Sequence, residues 1–322
     1  MCGRTACTLC AEDVRKACCY RSEAGGVYRL PDWREADDPR LSYKPSHNVA
    51  PTDATPVLVS GRHFPGAGER VLQTMLWGMI PPWHKGDPKS HGLSTNNCRL
   101  EGARGSKLYG RALGRGQRCC VVLDGFYEWQ AGTKQPYFVY CAAQPDGVLI
   151  DDPSTWDCRW SPEGGWCGPQ LLRLAALFDV WTSPQGTAVH SYSLITMEAD
   201  KSLGWLHHRM PAVLSSEQQV AAWLDCAGVK GDAALALLGA PGPLAWHPVS
   251  SLVNNARHKD AACNRRVDLA RKSVKASPSS KLMKSWLQSG GKKRDGPADT
   301  APEQTEAKRQ RTDGDTGKCA KN

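Results

Sequence analysis

Six short apolar segments limit what this chain can fold into. Val71–Ile80, Cys119–Leu123, Tyr137–Cys141, Leu171–Trp181, Tyr192–Thr196 and Met210–Leu214 are each bounded by Gly, Pro or charged residues. Apolar runs of that length with such flanks read as β-strands. Only two helices are predicted. Glu217–Cys226 follows a Ser215–Ser216 cap, with Gln218 three residues after Ser215, and carries Val220, Trp223 and Leu224 on one face. The second is Asp232–Leu238. Strands dominate and do not alternate regularly with helices. The expected fold is therefore α+β, a single domain around a mixed, twisted, barrel-like β-sheet with flanking helices.

Length and charge place the rest of the chain. The 322 residues suffice for one large domain or two small ones. Residues 143–168, rich in Pro, Gly, Asp and Trp, and residues 60–70 read as surface loops. Residues 271–322 hold 13 Lys and Arg against 6 Asp and Glu, a net +7 of the chain's formal +9. Their Lys, Ser, Gly, Asp and Thr cannot bury enough apolar surface to order themselves, so residues 2–270 form the expected domain and 271–322 a disordered basic tail. Within the tail, Leu282, Met283, Trp286 and Leu287 fall at helical spacing. Lys292-Lys293-Arg294 and Lys308-Arg309-Gln310-Arg311 have the form of nuclear-import clusters or polyanion contacts. No run approaches a membrane span and no signal-peptide stretch opens the chain, so a soluble intracellular protein is expected. The fourteen cysteines are scattered rather than spaced as a secreted framework, and reduced thiols are expected.

Among those cysteines Cys2 is singular, because it follows Met1 directly. Trimming of Met1 would leave one residue holding both a free α-amine and a thiol. Their reference pKa values, roughly 8 and 8.5, leave both partly deprotonated near neutrality. Such a residue can attack a carbonyl with nitrogen and then close a five-membered ring with sulfur. The plain alternative is a cysteine in a frayed terminus.

Four further segments gather polar groups at turns and strand ends: Asn48-Val49-Ala50-Pro51-Thr52; Trp77-Gly78 to Pro82-Trp83 with Asn96-Asn97-Cys98-Arg99; Asp124-Gly125-Phe126-Tyr127-Glu128-Trp129; and His207-His208-Arg209-Met210-Pro211. Glu128, between two aromatic residues, suits a group that exchanges protons near neutral pH, or is a rim carboxylate paired with an arginine. His207 and His208 can carry protons or be structural, and the adjacent Arg209 favours an anion site. Trp83 and Trp129 end turns, where an exposed ring can stack on an unpaired base or wedge a duplex; core packing is the alternative. Arg4, Arg99 and Arg209 are placed as phosphate contacts would be.

Together with Cys2-Gly3-Arg4 and Val249-Ser250…Val253-Asn254, these motifs run in order from residue 2 to about 256 and resemble the SRAP (SOS-response-associated peptidase) family. The resemblance implies a single domain that binds single-stranded DNA and crosslinks covalently to abasic sites. Cys2 resembles the family's nucleophile, Asn97 its positioning amide, Glu128 its acid/base carboxylate and His207 its active-site histidine. The DNA-binding set it implies is Arg4, Asn48, Pro51, Trp83, Arg99, Trp129, Thr196 and Arg209. The implied product is a thiazolidine, reversible in duplex DNA, made without metal or organic cofactor by a monomer in the nucleus. Its steps are of lyase or hydrolase type, and Met1 is lost by autoproteolysis or to an ordinary aminopeptidase. Replication-fork proteins are candidate partners, but no clamp-binding Gln-x-x-apolar-x-x-aromatic-aromatic pattern is found.

Three rivals remain at this stage. An N-terminal-nucleophile amidotransferase or peptidase also begins Met-Cys-Gly but needs an Asn-Gly oxyanion pair, which is missing. A zinc module is suggested by Cys7-Thr8-Leu9-Cys10, with no second spaced pair. A noncatalytic reader of modified cytosine would need no free Cys2.

Overall fold

The computed structural model describes residues 2–21 and 26–270. The basic segment 271–322, with the expected Leu282–Leu287 helix and both basic clusters, lies outside them. The strands are β1 (Arg4–Cys7), β2 (Asp32–Arg34), β3 (Ser46–Val49), β4 (Ala54–Ser60), β5 (Arg70–Trp77), β6 (Asn97–Arg99), β7 (Arg118–Leu123) and β8 (Gly125–Trp129). They continue with β9 (Pro136–Cys141), β10 (Trp160–Ser161), β11 (Gly165–Trp166), β12 (Leu172–Thr182), β13 (Ala188–Glu198), β14 (Arg209–Pro211) and β15 (Leu244–Pro248). The helices are α1 (Ala11–Ala17), α2 (Leu100–Ala103), α3 (Tyr109–Gly114), α4 (Glu217–Leu224) and α5 (Gly231–Ala236).

The larger sheet runs β14-β13-β12-β7-β4-β5-β2, with β6 also on β13. Strand β5 pairs with β13 as well, in parallel, through Leu76 opposite Ser191 and Trp77 opposite Tyr192. Five strands, β13-β12-β7-β4-β5, therefore close on themselves as a barrel, and closure removes the free edges on which other chains could pair. The second sheet is antiparallel, in the order β15-β9-β8-β1-β3. The architecture is the mixed, barrel-like α+β fold expected.

Alternation along the barrel strands explains their nearly unbroken apolar sequences. Val57 and Val59 of β4 join one core while Leu58 joins another; Cys119, Val121 and Leu123 of β7 separate from Cys120 and Val122 in the same way. The outer core is covered by helices, through Val14, Ala103, Ala112, Val220, Trp223 and Ala234. The inner core takes in Val49, Phe126 and Val139 from the second sheet, and it contains Cys2. Each Val, Leu or Phe buried this way contributes ~1.5–3 kcal/mol.

Several boundaries differ from the sequence reading. The strand expected over Val71–Ile80 stops at Trp77, because Gly78 takes φ +121° and Pro81 and Pro82 follow. The run Met210–Leu214 is a strand only to Pro211; beyond it Ala212 N still donates to Ile195 of β13, while its carbonyl accepts from Ala175 N and Leu214 N donates to the Arg173 carbonyl, both on β12. The cap of α4 is Ser216, whose Oγ accepts from Gln219 N at 3.1 Å, while the Gln219 side chain accepts from Ser215 N at 2.8 Å. Residues 143–168 are mostly loop but contain the β10–β11 hairpin.

Candidate active site

The site lies where the second sheet meets the barrel. Strand β1 is central in its sheet, with Arg4 opposite Tyr127 and Thr5 opposite Phe126 of β8. Continued by one residue, that register sets Gly3 beside Glu128. On its other side β8 packs tightly on β9 because Gly125 carries no side chain: a Cβ there would meet Phe138 and the Val139 carbonyl at 2.5 Å. Asn97 arrives from the other sheet, on β6, which runs parallel to β13 at Leu194. Its Nδ2 donates to the Cys2 carbonyl at 2.7 Å. Its backbone is held by the Tyr109 hydroxyl at 3.3 Å, and the Trp77 indole fixes the preceding Asn96 carbonyl at 3.0 Å. Asn97 Oδ1 is buried without a hydrogen-bond partner among the described residues.

Electrostatics tie the remaining groups together. Cys2 is fully buried, and burial pushes its thiol well above the usual range, with the Glu128 charge raising it further. Burial lowers His207, and the same Glu128 charge opposes that shift. One carboxylate thus acts on both the thiol and the imidazole. His207 Nδ1 accepts the Arg209 backbone N–H at 2.9 Å. The same nitrogen lies 3.1 Å from the Arg209 carbonyl, so the ring is held by Arg209 backbone in either tautomer, accepting from its N–H or donating to its oxygen. Glu128 is 5% exposed, and its Oε1 accepts from Trp129 N at 3.3 Å.

The expected DNA contacts divide into three groups. Arg4 and Trp129 are brought together by Asn254, whose carbonyl accepts from Arg4 Nη2 at 3.4 Å and whose Oδ1 accepts from Trp129 Nε1 at 2.7 Å. Trp83, 61% exposed in the turn after β5, and Arg99, exposed at the end of β6, present free surface. The others are engaged inside the protein. Arg209 forms a two-pronged pair with Glu101 at 2.7 and 3.0 Å and donates to the Thr196 carbonyl at 2.6 Å. Asn48 is fully buried and donates to the carbonyls of Val253 and Asn255 at 3.2 and 3.0 Å. Thr196 is buried on β13, its hydroxyl 3.5 Å from the Cys98 carbonyl. Pro51 sits in a turn where Thr52 takes φ +76°, unusual for a β-branched residue, and donates to the Trp77 carbonyl at 2.8 Å.

Two participants escaped the sequence reading. Asn254 closes a quoted motif but was given no task. Lys259 Nζ reaches the Asn48 carbonyl and Asp53 Oδ2, each at 2.6 Å, and so secures the Asn48–Asp53 turn. Spacing alone carried no signal for either, since both act across more than 100 residues. The zinc rival finds no support in the side chains: Cys7 meets the Tyr43 hydroxyl at 3.1 Å while Cys10 meets Asp13 at 3.2 Å. No group of three or more potential metal ligands occurs among the described residues. Nor, among the described residues, is any helix long and apolar enough to cross a membrane.

Cysteine and carboxylate from the open sheet meet amide and imidazole from the barrel side at one seam, which makes this a protein built around an N-terminal-proximal thiol. The family is plain from the sequence profile of SOS response associated peptidase (SRAP), which matches residues 1–256, and this chain belongs to it. It is 41% identical over 303 residues to the abasic site processing protein HMCES of Xenopus tropicalis, covering 92% of this chain and 87% of that one. The protein of the same name from Pongo abelii is 40% identical over 302 residues, covering 89% and 82%. In backbone the chain is similar to a crystal structure of a protein from Bacteroides thetaiotaomicron. That likeness has a TM-score of 0.59 at 16% identity, covers 83% of this chain and 100% of that one, and bears on fold alone.

Proposed function

We propose that this protein processes abasic sites in single-stranded DNA by linking itself to them through Cys2, shielding the damaged strand. The names of its relatives support abasic DNA as the substrate class. The observation that carries the chemistry is the convergence on Cys2 of the Asn97 amide and the Glu128 charge, with His207 beside them.

The steps follow from the groups present. After loss of Met1, the neutral α-amine of Cys2 attacks the open-chain sugar aldehyde, and the carbonyl oxygen takes up a proton from the His207 ring. Loss of water leaves an iminium, an electron sink that would otherwise promote β-elimination and strand breakage. Sulfur then attacks the same carbon and closes a thiazolidine, which removes that sink. Because burial and Glu128 hold the thiol protonated, its proton must leave as the C–S bond forms, and Glu128 is the acceptor. Aldehyde plus aminothiol gives thiazolidine plus one water, with no redox change. Asn97 anchors the Cys2 carbonyl, and its unpartnered Oδ1 suits a freed amine as donor. Both nucleophiles arrive on one residue, so proximity supplies much of the rate. The same steps run backwards would release the protein once the DNA becomes double-stranded. A nuclear location, in keeping with the basic clusters of residues 292–311, belongs to the same proposal.

Intact mass spectrometry with and without an abasic oligonucleotide tests this. The expected result is a chain lacking Met1 and an adduct equal to the two masses minus one water, lost in Cys2→Ala and kept in Cys7→Ala. An adduct of normal yield from a chain retaining Met1 would overturn the amine mechanism.

A further inference from the structure

Beside the candidate site the surface is aromatic. Trp205 and Trp246 are 38% and 37% exposed, with ring centroids 5.5 Å apart and planes tilted by 47°. Tyr137 meets Trp205 edge-on at 5.0 Å. The loop that holds Trp205 is fixed. Its indole N–H donates to the Ser202 carbonyl at 3.0 Å, and Asp200 Oδ1 accepts from Ser202 N and Oγ at 2.9 and 2.5 Å. Leu203 and Leu206 are buried beneath it, and the Leu206 carbonyl accepts from Ala131 N at 3.0 Å. With its N–H already satisfied, Trp205 offers the solvent a ring face rather than a donor.

This cluster is continuous with the reacting groups. Tyr137 stands directly opposite Glu128 across β8 and β9, and opposed residues share a face. Trp246 stands opposite Val139 on the next strand pair, which puts it on that face too. Two strand spacings, about 10 Å, separate β8 from β15. His207 follows Trp205 by two residues on the same loop. Lys134 and Lys201 are exposed in the adjoining turns, while the carboxylate of Asp200 is taken up by Ser202.

We propose that Trp205 and Trp246 form a stacking platform for an unpaired base of the DNA strand whose abasic sugar reaches Cys2, an inference that rests on the function proposed above. Exposed aromatic faces flanked by lysines, in line with the reacting carboxylate, match single-stranded nucleic acid. Such a surface tolerates any base, since every base has a π-face. The platform would hold a neighbouring nucleotide and so draw the strand across β8 and β9.

The test measures binding of an undamaged single-stranded oligonucleotide by fluorescence anisotropy, using the full chain and its Trp205→Ala, Trp246→Phe and Trp246→Leu forms. Kd should rise roughly 5- to 100-fold in the Ala and Leu forms and stay within about threefold in the Phe form. Trp246→Leu keeps apolar bulk at the edge strand, so a difference between Leu and Phe reports stacking rather than folding. Equal affinity for the wild-type, Phe and Leu forms overturns the platform, and so does failure of the wild type to bind the oligonucleotide. A protein partner seated on these rings would give that first null result. Adduct formation with an abasic oligonucleotide is read separately: its absence from the wild type defeats the Cys2 chemistry, while undamaged DNA still judges the platform.

Discussion

The closed barrel and the open five-stranded sheet share a core yet use their residues differently. In the barrel, successive side chains of β4, β7 and β12 turn alternately into two apolar cores, so nearly every position packs. The sheet backs onto the shared core on one side and on a smaller cluster of Ala6, Tyr127, Phe138, Val249, Val253 and Cys263 on the other. Its strands β1, β3 and β8 supply Arg4, Asn48, Glu128 and Trp129 and lead directly from Cys2. Cohesion is concentrated in the barrel, while the sheet carries Cys2 and Glu128 of the candidate site, with Asn97 and His207 reaching over from the barrel side. A site at such a seam has a rigid wall to be positioned against.

That division can be broken by experiment. Glu128→Gln should slow crosslinking by about 10²- to 10⁴-fold, with little change in DNA affinity or unfolding midpoint. Equal losses in gel-based crosslinking rate and in affinity would show that Glu128 is structural. Trp223→Ala removes a fully buried ring whose N–H donates to the Cys119 carbonyl at 2.8 Å. It should cost about 3–5 kcal/mol in urea denaturation while folded molecules crosslink normally; lost chemistry in folded protein would mean the two regions are not separable.

Asp124, at the corner between β7 and β8, sharpens the comparison through pH. It is fully buried, and burial pushes its carboxyl up to about 7, although its Oδ2 accepts from Thr8 N. A folded-state value above the unfolded one means that its contribution is complete below about pH 4 and is lost as pH rises through 7. Asp124→Asn, always neutral, should therefore gain on the wild type by up to a few kcal/mol between pH 4 and 8. Paired denaturation curves at the two pH values decide; a constant difference would mean that Asp124 does not titrate in this range. The smallest effect expected is from Asn254→Ala. Losing the acceptor for Trp129 should cost about 0.5–1.5 kcal/mol, read as a severalfold weaker Kd for single-stranded DNA with the melting temperature nearly unchanged. A variant that unfolds early instead would assign Asn254 to the scaffold.

Four of the five barrel strands were legible in the sequence, β4 with Pro56 inside it being the exception, and of the open sheet only β9 was. Strands buried on both faces, such as Cys119–Leu123 and Leu172–Thr182, announce themselves as apolar runs. The short strands of the sheet do not: Arg4–Cys7, Ser46–Val49 and Gly125–Trp129 mix charge, amide and glycine, and as strands they depend on their neighbours. The candidate site was legible for other reasons: Cys2 by following Met1 and Glu128 by its aromatic neighbours, while Asn97, and His207 rather than His208, were picked out only by the family resemblance. What the sequence could not show was that Asn48 and Thr196 would be sealed inside, or that Glu101 would occupy Arg209, because those outcomes depend on contacts across long stretches of chain.

The depth at which Cys2 lies has a practical result for labelling. Bulky maleimide dyes and alkylating agents will consume Cys10 and Cys167, the exposed cysteines among the described residues, before they touch it. Only a slender electrophile that the protein itself admits can outrun that competition, so a reagent profile dominated by Cys10 and Cys167 would still leave Cys2 unmodified.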